Sequence, residues 1–161
     1  MISIQQVEEQ DIKALAQLEA ACFPKEEAAD EQTLLQRAHT FPESFLVMKK
    51  EGIIIGMING CVSNERAICD AMFEDVCLHE PQGSYQTIFG LDVHPKYQHQ
   101  GYAQQLMEAL IKASRQAGRK ALILTCKEHL LPFYEQFGYR NMGVSASTHG
   151  GAVWYDMVLV L

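Results

Sequence analysis

The segment Thr87-Ile88-Phe89-Gly90-Leu91-Asp92-Val93-His94-Pro95-Lys96-Tyr97-Gln98-His99-Gln100-Gly101-Tyr102-Ala103 admits few folds. Tyr85, Thr87, Phe89, Leu91 and Val93 fall at alternate positions, which predicts a strand with these five residues on one face. Pro95 ends that strand, because proline has no N–H to give to a ladder. Beyond Gly101 the period changes. Ala103, Leu106, Met107, Leu110 and Ile111 make one apolar helical stripe, and Gly118 suits a left-handed C-terminal cap. The unbroken apolar run from Ala121 to Cys126 then predicts a buried parallel strand. Strand, helix and strand form a crossover that should be right-handed.

The loop Gln98-His99-Gln100-Gly101-Tyr102-Ala103 opens that helix. A helix N-terminus offers unpaired N–H groups and partial positive charge, so a phosphate placed there meets several donors at once. Gly101 lets a ligand approach the backbone, and the small Ala103 leaves it room. A diphosphate cradle and an ordinary strand–loop–helix turn are both open readings of this loop alone.

Around this unit the pattern predicts a short strand over residues 3–7 and a helix capped by Asp11 that runs to about Cys22, with Ile12, Leu15, Ala16, Leu18 and Glu19 in a mixed stripe. A second helix, beginning at Lys25 or at Asp30, runs to His39 with Leu34, Leu35 and Ala38 inward, and Pro42 stops it. Residues 45–49 and 53–62 read as a hairpin in which Gly56 and Gly60 weaken the second strand or mark bulges. The acidic stretch 63–83 reads as loop with a helical turn or two. A helix over 130–137 tolerates Pro132 in its first turn and ends at Gly138. Residues 139–146 and 152–161 read as closing strands around a turn at 147–151.

A chain of 161 residues with 48% hydrophobic content suits one domain, over residues 1–161. Its net charge of −7 argues against nucleic acid or anionic membrane as a partner. No apolar run reaches membrane-spanning length, and the N-terminus has no signal-peptide pattern. The five cysteines include no Cys-x-x-Cys pair, which fits reduced thiols in a cytoplasmic protein. The histidines show no metal-ligand spacing, so no metal is expected.

Gln98-x-x-Gly101-x-Ala103 after Leu91-Asp92-Val93-His94-Pro95 resembles the acyl-CoA pyrophosphate loop of the GNAT N-acetyltransferase superfamily. Leu131-Pro132-Phe133-Tyr134-Glu135-Gln136-Phe137-Gly138-Tyr139 resembles the segment that closes the family's acyl-CoA site. Leu78-His79-Glu80-Pro81 and Cys126-Lys127-Glu128-His129 are similar to the arylalkylamine (serotonin) N-acetyltransferase-like branch. The implied fold is α/β: a mixed, largely antiparallel sheet with a central parallel pair, flanked by helices on both faces. The implied activity is acetyl transfer from acetyl-CoA to the primary amine of a small molecule, by direct attack in a ternary complex. A homodimer is plausible on the resemblance alone.

By the same resemblance, Gln98, His99, Gln100, Gly101, Tyr102 and Ala103 bind the cosubstrate. The backbone amides of Leu91 and Val93 polarise the thioester, with a bulge permitted by Gly90, and Tyr134 protonates the leaving thiolate. The helix–helix connection lies over the acceptor, where Glu26, Glu27 and Asp30 attract an ammonium or simply complement a helix dipole. His94 reads as structural, and Cys126 as buried rather than acylated. The branch's two strand histidines are replaced by Thr87 and Phe89, so the base is open: Glu74, Asp75, Glu80, Asp92 and His79 are candidates, with a water relayed by Thr87. Asp92 should point away from the Tyr85/Leu91 face. Two other functions fit the same loop: acyl transfer to a peptide or protein amine, a polyamine or an aminoglycoside, and non-catalytic acyl-CoA sensing.

Overall fold

The computed structural model describes residues 1–161. In chain order the elements are β1 (Ile2–Gln6), α1 (Ile12–Cys22), α2 (Glu31–Thr40), β2 (Phe45–Lys50), β3 (Ile53–Asn59), β4 (Val62–Ser63), α3 (Ala71–Glu74), β5 (Tyr85–Ile88), β6 (Gly90–Val93), α4 (Tyr102–Gln116), β7 (Ala121–Cys126), α5 (Leu131–Glu135), β8 (Arg140–Val144) and β9 (Tyr155–Val160). They build two sheets, β1-β2-β3-β6 and β4-β5-β7-β9-β8. Every pairing is antiparallel except β5 with β7, the expected parallel pair at the start and end of the crossover.

Alternation in β2 separates two cores. Phe45 and Val47 pack with Leu15 and Leu18 of α1 and Leu34 of α2, whereas Leu46 and Met48 pack with Leu106, Met107 and Leu110 of α4. Helices therefore cover both faces. Burying the α4 stripe stabilises the fold by about 1.5–3 kcal/mol per large side chain. The glycine after it, Gly118, has φ 77°, as a left-handed cap requires.

The feature that positions the site is a break in two neighbouring strands. Gly90 lies opposite Asn59 and Gln86 opposite Val62, so three residues (87–89) face only two (60–61). One extra residue makes a bulge, and the chain passes from one sheet to the other on both sides of it. Gly60 is required there, because a Cβ would overlap the backbone of Thr87.

The bulge corrects two expectations. Residues 85–93 and 53–62 are not single strands, and the five alternating residues do not share a face. Tyr85 and Phe89 pack with Phe41, Cys61 and Met72, while Ile88, Leu91 and Val93 pack against the α4 core. The extra residue shifts the phase of everything after it.

Several smaller differences have local causes. The first strand covers Ile2–Gln6, one residue earlier than expected. Asp11 precedes α1 but does not cap it; its carboxylate accepts from Glu8 N at 3.0 Å and pairs with Lys49 at 3.1 Å. The second helix begins after Asp30, whose carboxylate accepts from Thr33 N at 2.8 Å, and residues 25–27 form a turn instead. The last two strands stop short, leaving 145–154 as a long loop with a single 3-10 turn at His149–Gly151. No helix is long and apolar enough to cross a membrane.

Candidate active site

Where the sheets part, β6 loses its neighbour on one side. Along a strand, N–H groups alternate in direction. His94 N–H reaches Ile55 O of β3 at 2.8 Å, so Asp92 shares that side and the N–H groups of Leu91 and Val93 point into the gap. Val93 O is taken by the Gln98 side chain, which donates to it at 2.9 Å, and by the Cys22 thiol at 3.3 Å. Gln98 thus folds the loop back onto the end of its own strand.

Between strand and helix, Pro95–Tyr97 form a 3-10 turn that His94 caps by accepting from Lys96 N at 3.1 Å. Two left-handed residues follow, His99 at φ 62° and Gly101 at φ 84°. A Cβ on Gly101 would meet nothing within 4 Å, so its conformation, not crowding, calls for glycine. No side chain caps α4, which leaves its first-turn N–H groups free to face a ligand.

This loop walls a groove of about 340 Å³ lined by Leu91, Val93, Gln98, His99, Gly101, Tyr102 and Ala103, with Phe133 and Tyr134 opposite. Of the loop residues assigned to cosubstrate binding, Gln100 alone is off this wall; it is exposed to solvent. Lys50 sits over the rings of Tyr97 and Tyr102 at 5.4 and 5.9 Å, adding a cation beside the loop.

A second cavity of about 300 Å³ opens on the other side of the split. Phe23, Phe73, Phe89, His149 and Trp154 supply aromatic walls, and Glu19, Glu26, Glu27, Asp30 and Glu74 supply carboxyl groups. His149 stacks on Phe73 with centroids 4.8 Å apart, and Phe73 meets Phe89 at 4.8 Å. Trp154 Nε1 donates to His149 O at 2.7 Å, so the 145–154 loop forms one rim. Glu27 pairs with Lys127 at 2.8 Å, which partly neutralises it, and Asp30 is held below the usual carboxylate range by its bonds to Thr33.

Leu91, Leu130 and Tyr134 line both cavities. Tyr134 is 8% exposed, and burial pushes its phenol well above the ordinary range, so it stays protonated at neutral pH. Its ring is held edge-on by Phe133 and Tyr139 at 5.1 and 5.8 Å. Cys126, at the end of β7, is buried, and its thiol is pushed up to about 11 by burial and by Glu135, a poor state for a nucleophile.

The sequence-level candidates for a base are dispersed. His79 Nδ1 accepts from Val62 N at 3.0 Å, and burial lowers its pKa. Asp75 accepts from Cys77 N at 2.9 Å, and neither it nor Glu80 is on the second cavity. The Thr87 hydroxyl, fully buried, donates to Cys61 O at 2.8 Å, so the expected water relay through it has no opening. Glu74 alone of the five lines the cavity, and Asp92 lies behind it. Sequence reasoning missed Glu19, Arg37, His149 and Trp154 as site residues. The signal available was the acidic Glu19 inside an apolar stripe.

Comparison with known proteins decides the family. A sequence model of the acetyltransferase (GNAT) family matches residues 12–139. The chain belongs to this family. It is 30% identical over 118 residues to serotonin N-acetyltransferase of Mesocricetus auratus, a match covering 72% of this chain and 55% of that protein. The Macaca mulatta serotonin N-acetyltransferase is 31% identical, with 72% and 56% covered. The chain therefore spans about half the length of the curated relatives it matches. Among solved structures, the GNAT-like decarboxylase GphF in complex with isobutyryl-CoA superposes with a TM-score of 0.84 at 21% identity, covering 98% of both chains. The yncA protein of Salmonella typhimurium, solved with its cofactor acetyl-CoA, gives 0.72 at 15% identity, covering 99% of this chain and 94% of that one. These likenesses show the GNAT fold.

Proposed function

We propose that this protein transfers an acetyl group from acetyl-CoA to the primary amine of a small molecule by direct attack in a ternary complex. The observation that carries the reading is the pair of cavities meeting at Leu91, Leu130 and Tyr134, one built for an anionic cosubstrate and one for a cationic acceptor. Acetyl-CoA supplies an activated acyl group; the chain supplies its placement. The uncapped start of α4 and the open space above Gly101 fit its diphosphate. The N–H groups of Leu91 and Val93 suit a developing oxyanion. The protonated Tyr134 is the donor for the leaving sulfur.

The aromatic and acidic walls favour an amine with an apolar, aromatic body and a positive charge. The serotonin N-acetyltransferase relatives support an arylalkylamine. The same carboxyl lining opposes decarboxylation, because a decarboxylase must bind a carboxylate and five carboxyl groups line this cavity. Arg37 also lines it, but its two amino nitrogens already donate to Asn59 Oδ1 and Phe73 O at 3.0 and 2.9 Å.

The test is thiol release from acetyl-CoA with phenethylamine, tryptamine, spermidine, an aminoglycoside, amino acids and short peptides. Release with the aryl amines is expected. Release only with peptides would overturn the small-molecule acceptor, and tight acetyl-CoA binding without release from any amine would favour a sensor.

A further inference from the structure

Three of the buried carboxylate oxygens that lack a hydrogen-bond partner lie together: Glu19 Oε1, Asp92 Oδ1 and Asp92 Oδ2. A Cβ on Gly90 would sit 3.2 Å from Asp92 Oδ1 and 3.7 Å from Glu19 Oε1, which places both carboxyl groups at one spot beside the sheet split. Glu19 is 6% exposed and Asp92 1%. The other Glu19 oxygen is occupied, accepting from Ala29 N at 2.9 Å. Two adjacent carboxylates in a desolvated site cannot both ionise, and acceptors without donors are costly to bury. One proton held between them resolves both problems. Only Glu19 of the two lines the acceptor cavity.

We infer that Glu19 and Asp92 share a single proton, and that Glu19, the member of the pair on the cavity wall, is the base that deprotonates the acceptor ammonium. This rests on the acetyl-transfer reading above. Burial and the neighbouring Glu19 both push Asp92 well above the usual carboxylate range, so Asp92 is the member that keeps the shared proton. The groups facing the pair are Arg37 from α2, Cys22 from α1 and Tyr134 from α5, with Glu26, Glu27, Asp30 and Glu74 on the cavity wall beyond. Cys22, pushed up to about 12 by burial and by these two carboxyls, stays neutral, as does Tyr134. Arg37 is therefore the cation that stabilises the pair's one negative charge.

Glu19 takes one proton from the ammonium, and the freed lone pair forms the C–N bond as the thioester C–S bond breaks. Tyr134 gives its proton to the departing sulfur and recovers one from the acylated nitrogen. Glu19 then returns its proton to solvent, so one ammonium and one thioester become one amide, one thiol and one released proton.

Two measurements test this. Infrared difference spectra of the protein at neutral pH, native against Asp92→Asn, should show the carbonyl stretch of a protonated carboxyl; its absence overturns the shared proton. Glu19→Gln should lower kcat by about 10²- to 10⁴-fold with an ordinary primary amine while acetyl-CoA affinity is unchanged, and Glu19→Asp should restore part of it. With an acceptor whose electron-withdrawing substituent keeps it neutral at the assay pH, the same Glu19→Gln loss should shrink to less than about tenfold, because no proton need be removed. Equal losses with both amines would reduce Glu19 to a structural role, and unchanged turnover would remove it from the reaction. A native protein that releases no thiol with any amine overturns acetyl transfer and Glu19's part in it, whereas the infrared band decides the shared proton independently.

Discussion

Gly101 gives the sharpest test of the cosubstrate cradle, because two substitutions there separate backbone strain from ligand electrostatics. Its φ of 84° lies in the left-handed region, which costs an ordinary residue about 1–2 kcal/mol. A Cβ would meet nothing within 4 Å, so no steric term is added. Gly101→Ala should therefore lower stability by about 1–2 kcal/mol, or roughly 2–8 °C in Tm for a chain of this size. Gly101→Glu should cost a similar amount of stability. It differs in placing a carboxylate where the diphosphate is proposed to sit. At about 4 Å, repulsion from each phosphate charge is about 1 kcal/mol in water and about 4 kcal/mol at the effective dielectric of a protein surface. That converts to roughly fivefold to a thousandfold weaker acetyl-CoA binding per phosphate charge. Isothermal titration with acetyl-CoA and thermal melts of both variants supply the numbers. If Gly101→Glu binds as tightly as Gly101→Ala, the diphosphate is not at the start of α4, and the cradle assignment fails.

Tyr134→Phe keeps the edge-on ring packing and removes only the hydroxyl, so turnover should fall about 10²- to 10⁴-fold with acetyl-CoA affinity nearly intact; full activity would exclude Tyr134 as the acid. Gly60→Ala would bring a Cβ to 2.5 Å from the Thr87 carbonyl carbon and 2.8 Å from its Oγ1, so a loss of at least about 1–3 kcal/mol is expected in chemical denaturation, and a neutral effect would contradict the bulge packing. Asp70 ties the rim loop to the 63–83 segment by accepting from Ser147 Oγ and from Thr148 N at 3.1 Å, and these bonds lower its pKa. A lowered folded-state pKa means the tie is fully present above the unfolded value near pH 4 and is lost as pH falls through the lower folded value. Hydrogen-exchange protection of residues 145–151, taken relative to the intrinsic rate at each pH, should therefore fall as pH drops through that lowered value in the native protein, and Asp70→Asn should show no such step.

Local signals were enough for the crossover. The change from alternation to helical period at Gly101, the Gly118 cap and the apolar run at 121–126 all lie within a few residues of the structure they specify. The sheet split was only half legible. Gly60 and Gly90 were visible as weak points, but the extra residue belongs to a register between strands, and register is a property of the pairing rather than of either strand. The 145–154 loop escaped because Val153 and Trp154 continue a strand-like pattern; Trp154 instead turns its N–H to His149 O and walls a cavity.

The acceptor site was least legible for a reason that follows from its chemistry. A base that must be ionised yet sheltered from water needs a buried carboxylate, a nearby proton to limit the charge, and a cation within reach. Here those come from three separate elements, Glu19 of α1, Asp92 of β6 and Arg37 of α2. No spacing within one segment can encode such a group. What each residue does show is a conflict with its own surroundings: an acid in an apolar helical stripe, an acid within a strand between Leu91 and Val93, and an arginine beside inward-facing Leu34 and Ala38. Sequence reading counted Glu19 as stripe, turned Asp92 away from the site and passed over Arg37. Each was locally inconsistent, and a natural fold retains such inconsistencies at positions where packing has been given up for function. Three misfits that converge at one bulge, beside a cavity with cationic preference, locate the reactive end of the acceptor site better than any one motif in the chain.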